Sequence, residues 1–561
     1  MEVRNCKPVN VSQLLVSALE RASVRFVFGY PGDENLPFLD AVRASSQMDF
    51  VLTRHESGAG FMAAAHGYQT GDLAVVMSTL GAGATNLTTS VAHAYLAELP
   101  MIAITGQKPV LDNTQGRYQI VDVVDVMRPI TKFTASVPSA EALPGLIAEA
   151  VHQALEYPQG PVHLELPVDI AALDADGVEL LPSTTSPRPG PAPAAIEAVV
   201  DRLREAKRPV VLIGSAANLR WDLTEPLRRF LDATQLPFVA TMMGKGVGDE
   251  TSPNFVGTSA MPEMGFPKCA FAHADLILSV GHNVMEKAPF TMTKDGPDVI
   301  HIHENAATAD TIWFPSLQLL GDMGLSFDAL TEALTPLPDW DLDGFVKLGQ
   351  GMREAIAPNP GLPTGVPIKP QLVVPAIREA LEPTDIVSLD NGIHKLWLTR
   401  NYIASEPRTV MVDSALGAMG PGIPAAIATK LVYPDRRVVA VIGDGGMLMT
   451  GQELETAVRL DIDLTVLVFN DSGLGMIRLK QKMDGYETHG VDFANPDIIG
   501  FAQAFGAHGH RLTDALDLPG LLEESHSRGG VHLIDIPIDY GENGPLMKSL
   551  KMLDCHSVLS S

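Results

Sequence analysis

Short apolar runs bounded by glycine and other turn residues recur along the whole chain of 561 residues. Seven runs rich in valine, isoleucine and leucine lie at 26–29, 74–77, 101–106, 210–214, 276–281, 438–443 and 464–469. Stretches with helical periodicity separate them. Continuous apolar runs of this length are typical of strands buried on both faces of a parallel sheet, with crossover helices between them. The pattern therefore predicts an α/β fold.

Two proline-rich stretches, at 187–193 and 357–363, interrupt this pattern. Proline lacks the amide hydrogen that ladders and helix interiors need, so such stretches mark boundaries. They predict three doubly wound parallel-sheet domains in series, at 1–186, 194–345 and 368–561. Ligands of such sheets bind beyond the carboxyl ends of the strands, where many of these glycines lie.

Charge and cysteine content narrow the function classes. The 40 Lys and Arg against 67 Asp and Glu give a net charge of −27, which disfavours nucleic-acid and membrane partners. No apolar run approaches the length of a membrane span, and the first residues do not resemble a signal peptide. Cys6, Cys269 and Cys555 are far apart, which predicts reduced thiols in a cytoplasmic protein.

A glycine-rich turn at 443–446 carries the strongest chemical signal. Asp444, Gly445 and Gly446 directly follow a predicted buried strand, and a helix is expected at about 452–459. Asp471 ends the next strand 27 positions later. Adjacent parallel strands would bring both carboxylates to one sheet edge, where carboxylates, a carbonyl and diphosphate oxygens suit Mg²⁺. The alternative is an ordinary strand-to-helix turn, in which glycine and aspartate are common.

This spacing resembles the motif of thiamine diphosphate-dependent enzymes, GDG followed after some 25 residues by NN or ND. The resemblance covers the whole chain and is closest to the acetolactate synthase branch, whose domains are pyrimidine-binding, central and diphosphate-binding. It implies that Asp444 and Asp471 bind Mg²⁺ through side chains and Gly473 through its carbonyl. It also implies that His394 contacts the diphosphate, although a lone histidine is more often structural.

The same resemblance assigns the catalytic carboxylate and the cofactor support. Glu56, in Arg54-His55-Glu56, matches a glutamate that shares a proton with the cofactor pyrimidine, so that the cofactor supplies its own base. Taken alone, such a glutamate would be a solvated helix start. Gly417 and Met419 match the turn that props the bent cofactor, and Met476 is expected to line the same pocket.

Further matches lie in the first domain. Tyr30 and Pro31 match a turn beside Glu56, and Thr79 and Asn86 match positions near the pyrimidine. Ala82 replaces a proline that is usual in that second turn. Gln119 matches a glutamine that contacts cofactor or substrate.

Several positions depart from the biosynthetic acetohydroxyacid synthases. The segment 281–287 lacks their arginine, Lys480 replaces a tryptophan, and no FAD-contact pattern is evident. FAD is therefore not expected as a cofactor, and the FAD-free catabolic type is the closer match. Asp33 is expected near the substrate entrance, where its charge would act on the acceptor. Equally, Asp33 could cap a helix that begins near Asn35.

The resemblance implies decarboxylation of a 2-oxoacid, pyruvate, and carboligation to a second carbonyl. It also implies a homodimer or homotetramer with active sites between subunits. The alternatives are a non-ligating 2-oxoacid decarboxylase, a 2-hydroxyacyl lyase and a silent cofactor-binding paralogue. A dehydrogenase is disfavoured, because 214–218 lacks the G-x-G-x-x-G pattern.

Overall fold

Three six-stranded parallel sheets form the framework of the chain. The computed structural model describes residues 9–111, 116–182, 187–359 and 361–560, so Cys6 lies outside the described residues. The strands are β1 Phe26–Gly29, β2 Asp49–Leu52, β3 Val75–Ser78, β4 Met101–Gln107, β5 Phe133–Ser136, β6 Pro161–Pro167, β7 Pro209–Ile213, β8 Phe238–Thr241, β9 Phe255–Ser259, β10 Leu276–Val280, β11 Asp298–His303, β12 Leu317–Leu320, β13 Ile386–Leu389, β14 Val410–Val412, β15 Val438–Gly443, β16 Leu464–Asn470, β17 His508–Arg511 and β18 Val531–Pro537.

The first and third sheets share one order of strands, and the second sheet has a different one. The order is β2-β1-β3-β4-β6-β5 in the first, β12-β11-β10-β7-β8-β9 in the second and β14-β13-β15-β16-β18-β17 in the third. All seven predicted apolar runs form strands, and most of these strands are buried along their whole length. The predicted fold class, three doubly wound parallel sheets in series, is confirmed.

Helices connect the strands. They are α1 Val11–Arg21, α2 Leu36–Ala44, α3 Glu56–Thr70, α4 Ala82–Asn86, α5 Thr88–Leu96, α6 Val123–Met127, α7 Leu143–Leu155, α8 Val168–Ala171, α9 Pro193–Glu205, α10 Ser215–Leu219, α11 Thr224–Thr234, α12 Gly265–His273, α13 Met323–Ala333, α14 Asp343–Ile356, α15 Pro370–Ala380, α16 Ile393–Asn401, α17 Gly422–Val432, α18 Asp444–Thr450, α19 Glu453–Arg459, α20 Gly475–Met483, α21 Ile498–Ala504, α22 Leu518–Arg528, α23 Asn543–Lys551 and α24 Cys555–Ser560. Short 3₁₀ turns lie at Asp33–Asn35, Arg128–Ile130 and Ala515–Asp517. No helix in the described ranges is long and apolar enough to cross a bilayer.

The chain forms two compact units. The first contains residues 1–186 together with 416–434 and 450–462, and the second contains 187–415, 435–449 and 463–561. Inside the first unit, α17 packs against α3, a helix of small residues that is buried over most of its length. The second unit contains the second and third sheets. The predicted boundaries at 186, 194, 345 and 368 stay predictions.

The cysteine prediction is wrong in the described residues. Cys269, buried in α12, and Cys555, at the start of α24, form a disulfide across 286 positions of sequence. The chain returns from the third sheet to the helices around the second, and α24 packs against α14. Cysteine spacing in the sequence carries no sign of this return.

Candidate functional site

Glu56 begins α3, which follows β2 in the first unit. The preceding residue, His55, is the N-cap, and its Nδ1 accepts a hydrogen bond from the Ser57 amide at 3.1 Å. The carboxylate of Glu56 is half-buried, and its Oε2 accepts from Asn86 Nδ2 at 3.0 Å. A helix N-terminus stabilises a carboxylate. Glu56 and Asn86, predicted separately, are therefore partners.

Close backbone approaches bring Thr79 to the same place. A Cβ added to Gly32 would lie 2.5 Å from Thr79 Cβ, so the turn that begins with Tyr30 and Pro31 needs glycine at this position. A Cβ on Gly83 would lie 2.9 Å from Thr79 Cγ2 and 3.2 Å from Glu56 Oε1. Thr79 and Glu56 thus flank one glycine, which leaves space beside the carboxylate.

Gln119 and Asp33 lie at the edge of this group. Gln119 is exposed with a φ of 61°, and its carbonyl oxygen is 2.8 Å from where a Cβ of Gly81 would stand. Asp33 is exposed at the start of a 3₁₀ turn. The N-cap of α2 is Asn35, so the alternative that Asp33 caps this helix is wrong.

The predicted prop lies in a second glycine turn of the first unit. Gly417 and Gly420 have φ values of 72° and 102°, which favour glycine. Met419 between them is half-buried. Thr450 Oγ1 donates to the Gly420 carbonyl at 2.7 Å and fixes the end of the turn.

A buried carboxylate that the sequence analysis missed positions the two residues that precede Glu56 in sequence. Glu453, the first residue of α19, is fully buried. Its Oε1 accepts from the amides of Arg54 at 3.0 Å and His55 at 3.1 Å, and its Oε2 from Thr456 Oγ1 at 2.6 Å. The two amides precede Glu56 in sequence, so Glu453 positions the first turn of α3.

Asp444 and Asp471 converge in the second unit, as predicted. Strands β15 and β16 are parallel neighbours with Gly443 opposite Phe469, and Asp444 Oδ2 accepts from the Ser472 amide at 2.7 Å and from Asn495 Nδ2 at 2.8 Å. The predicted helix at 452–459 is not the one that meets this turn. Helix α18 begins at Asp444 itself, so Gly445 and Gly446 are in its first turn.

Electrostatics at this edge favour a cation. Burial and, second, the nearby Asp444 together raise the pKa of Asp471 to about 6, against the opposing effect of Arg478, which forms an ion pair of 2.8 Å with it. Burial also raises the pKa of Asp444. A divalent cation between the two carboxylates would relieve both effects.

The third predicted ligand is a backbone carbonyl. Gly473 is buried, a Cβ there would lie 2.6 Å from the Val491 carbonyl oxygen, and its own carbonyl accepts from the Gly475 amide at 3.1 Å. No cluster of three or more His, Cys, Asp or Glu is placed to bind a metal in the part of the chain described. Two carboxylates and one backbone carbonyl are thus the oxygen atoms that this edge of the sheet offers to a hard cation such as Mg²⁺.

His394 lies against this turn. Its Nε2 is 3.0 Å from the Asp390 carbonyl oxygen, and a Cβ on Gly443 would be 3.3 Å from its Nδ1. Burial lowers the pKa of His394 to about 4, so the ring is neutral at pH 7. A Cβ on Gly446 would be 2.4 Å from Asp390 Oδ2, which explains why glycine is needed there.

Met476 and Lys480 share one face of α20. They are four residues apart, with Met476 half-buried and Lys480 exposed. A Cβ on Gly475 would lie 3.0 Å from Asp471 Oδ2, so the helix begins beside the carboxylate edge.

Glu34 and Lys108 are two further residues that the sequence analysis did not identify. Glu34 Oε2 accepts from Thr79 Oγ1 at 2.6 Å, and its Oε1 pairs with Lys108 Nζ at 2.6 Å. Lys108 follows β4 directly, and a cation at the carboxyl end of a buried strand was the available signal.

Comparisons with known proteins agree with this arrangement. Models described as thiamine pyrophosphate enzyme N-terminal TPP binding domain, central domain and C-terminal TPP binding domain match residues 9–126, 196–330 and 390–536. Thiamine pyrophosphate is another name for thiamine diphosphate.

Three curated relatives illustrate the similarity along the chain. Acetolactate synthase of Bacillus subtilis is 29% identical over 538 residues, covering 95% of this chain and 94% of the relative. Catabolic acetolactate synthase of Raoultella terrigena is 29% identical, covering 96% and 97%. Acetolactate synthase large subunit of Parasynechococcus marenigrum is 31% identical, covering 94% and 87%. The chain belongs to the thiamine pyrophosphate enzyme family and is an enzyme of its acetolactate synthase-like branch.

Proposed function

We propose that the protein binds thiamine diphosphate through Mg²⁺, decarboxylates pyruvate and joins the remaining two-carbon unit to a second carbonyl compound. The observation that carries the cofactor part is the convergence of Asp444 and Asp471 at the end of two paired strands. The names of the relatives support acetolactate as the product.

The residues take the following roles in this proposal. The side chains of Asp444 and Asp471 and the carbonyl of Gly473 hold the metal, and His394 contacts the diphosphate through the face that meets Gly443. When bound, thiamine diphosphate supplies the carbon nucleophile and stabilises the charge left by loss of CO₂. Glu56 holds a proton at the pyrimidine N1′, and Asn86 orients its carboxylate.

The remaining predicted residues surround the cofactor and substrates. Met419 supports the cofactor, with Gly417 shaping its turn, and Thr79 lies beside Glu56. Met476, Gln119, Asp33 and Lys480 face the substrates.

A flavin is not expected. In the second sheet the strand order reverses between β7 and β10, which is where doubly wound folds bind nucleotides. The Ser215 amide at that point donates to the chain's own Glu286 at 2.7 Å, and Thr241 Oγ1 donates to the same carboxylate at 2.5 Å. Because this amide already has a carboxylate acceptor, we expect purified protein to show no flavin absorbance.

We also propose a cytoplasmic homodimer or homotetramer with active sites between subunits. The family resemblance supports this assembly, and light scattering on the purified protein tests it. The disulfide does not fit easily with a reducing cytoplasm. Thiol content after rapid alkylation of cells therefore tests the location and the bond together.

The decisive experiment follows pyruvate by NMR with apo-protein, with and without Mg²⁺ and thiamine diphosphate. Acetolactate that requires both additions would support the proposal. Acetaldehyde alone would move the function to the non-ligating decarboxylase, and an aldehyde with an acyl thioester, formed from a 2-hydroxyacyl thioester, would move it to the lyase. Cofactor binding without turnover of any of these compounds would favour the silent paralogue.

A further inference from the structure

An ion pair that no prediction included adjoins the candidate catalytic carboxylate. Lys108 and Glu34 side chains are only 13% and 8% exposed, with 2.6 Å between Nζ and Oε1. Gly106 makes room for the pair, because a Cβ there would lie 2.7 Å from Glu34 Cβ. Among the described residues, Glu34 is the acceptor for this ammonium, and Tyr118 lies farther away, with its ring centre at 5.8 Å.

The pair is connected to the site through Thr79. The second oxygen of Glu34 accepts from Thr79 Oγ1, and Thr79 and Glu56 flank the same glycine. Two hydrogen-bonded residues, Glu34 and Thr79, therefore connect Lys108 to the space beside Glu56. An ammonium has three hydrogens to donate and Glu34 takes one, so Lys108 can bind a second acceptor without leaving its partner.

The positive charge of Lys108 matters because of the carboxylate nearby. Glu56 places a carboxylate beside the space, which would repel an anionic substrate. Asp33 is exposed and screened by water, whereas Lys108 is largely shielded from it, so the ammonium acts at short range.

We infer that Lys108, positioned by Glu34, binds the carboxylate of the acceptor 2-oxoacid and so selects an anionic acceptor over a neutral aldehyde. This inference rests on the proposed function. In the ligation, the bond between the donor's keto carbon and its carboxylate breaks and CO₂ leaves. The electron pair forms a bond to the acceptor's carbonyl carbon, and the acceptor's oxygen takes up a proton. Lys108 takes no part in these bonds. Its role is to select the acceptor that is bound.

The test is a competition between acceptors. Holoenzyme receives pyruvate together with acetaldehyde, and initial rates of acetolactate, acetoin and CO₂ are measured. Lys108→Met should lower the acetolactate-to-acetoin ratio about 10- to 100-fold, the usual effect of losing a charge-assisted hydrogen bond. Total CO₂ release at saturating acetaldehyde should change less than threefold. Lys108→Arg should keep most of the ratio.

Glu34→Gln distinguishes binding from a merely structural role. Both Glu34→Gln and Lys108→Met break the ion pair, so a structural role would move the ratio in the same direction. The inference requires opposite directions, because the glutamine variant leaves the ammonium without a competing charge and should raise the ratio about two- to fivefold. Lys132→Met is the matched control, since that ammonium donates to the carbonyls of Glu156 and Pro158.

The outcomes distinguish a failure of the proposed function from a failure of the role inferred for Lys108. A wild type that makes no acetolactate overturns the proposed function, and this inference with it. If the wild type makes acetolactate, an unchanged ratio in Lys108→Met overturns this inference alone. An equal loss of CO₂ and acetolactate in Lys108→Met also overturns it, because it would place Lys108 at the donor. A change of the ratio in the same direction in Glu34→Gln and Lys108→Met overturns it as well. Thermal melting of each variant shows that the compared proteins are folded.

Discussion

Glu453→Ala should loosen the start of α3 although the two positions are about 400 residues apart in sequence. The carboxylate is fully buried and accepts from the amides of Arg54 and His55 and from the hydroxyl of Thr456. Alanine leaves all three donors without this acceptor. A buried donor that loses its partner costs about 1–3 kcal/mol.

The net effect is smaller than the sum of these costs. Burial raises the pKa of Glu453, which means that the charged form is itself disfavoured, and alanine removes that penalty. We expect a loss of about 3 kcal/mol in the free energy of local opening. Since 1.36 kcal/mol corresponds to a factor of ten, the Arg54 and His55 amides should exchange hydrogen roughly 100-fold faster.

Hydrogen exchange with mass spectrometry on a peptide that spans residues 50–60 measures this directly. Glu149→Gln is the control, because its carboxylate accepts from Gln153 Nε2 at 2.8 Å within α7 of the same unit. A Cβ on Gly58 would lie 2.5 Å from Glu453 Oε1, so Gly58→Ala alone should cost about 1–3 kcal/mol and much less in the Glu453→Ala background. Unchanged exchange at Arg54 and His55, or simple additivity of the two substitutions, would refute the reasoning.

Three further predictions concern single sites and the fourth concerns a bond. Glu56→Gln should bind thiamine diphosphate within a few-fold of wild type by calorimetry yet turn over at least 100-fold more slowly; near-native rates would remove its assigned role. Asp444→Ala should lose the Mg²⁺-dependent part of cofactor binding, and binding unchanged in chelator would contradict the metal site. Burial lowers the pKa of His163 to about 3, so its contribution is complete above pH 6.5 and falls by about 1.4 kcal/mol per unit as the pH drops towards 3; His163→Asn should flatten the urea-midpoint profile between pH 6 and 4. Denatured, unreduced protein should show one reactive thiol, and three would contradict the Cys269–Cys555 bond.

The sequence predicted what depends on local patterns. The run at 438–443 and the carboxylates at 444 and 471 sufficed to place two strands side by side, because glycine-bounded apolar runs have one common structural solution. The family resemblance identified both Glu56 and Asn86, although it did not pair them.

Contacts set by the order of the strands were not predictable in the same way. Lys108 reaches Glu34 because β4 lies beside β3, which lies beside β1, and the sequence pattern of each strand is silent about its neighbours. Glu453 and Cys555 contact residues hundreds of positions earlier because late segments of the chain return to elements formed early. The start of α18 at Asp444 was missed because its first turn is rich in glycine, which disfavours helix by propensity alone.

The discontinuous first unit has a consequence for synthesis on the ribosome. The face of α3 that packs against α17 is translated early, and so are the amides that donate to Glu453. Their partners emerge only once residues 416–434 and 450–462 have been translated. At roughly 5–20 residues per second, about 14 to 55 s separate residue 186 from residue 462. During that interval the nascent chain carries α3, a helix of mostly small and apolar residues, with this face uncovered, and a fragment released after residue 186 would keep it uncovered. Chaperone capture and aggregation of such fragments are therefore expected of the early chain, even though the finished protein buries this surface.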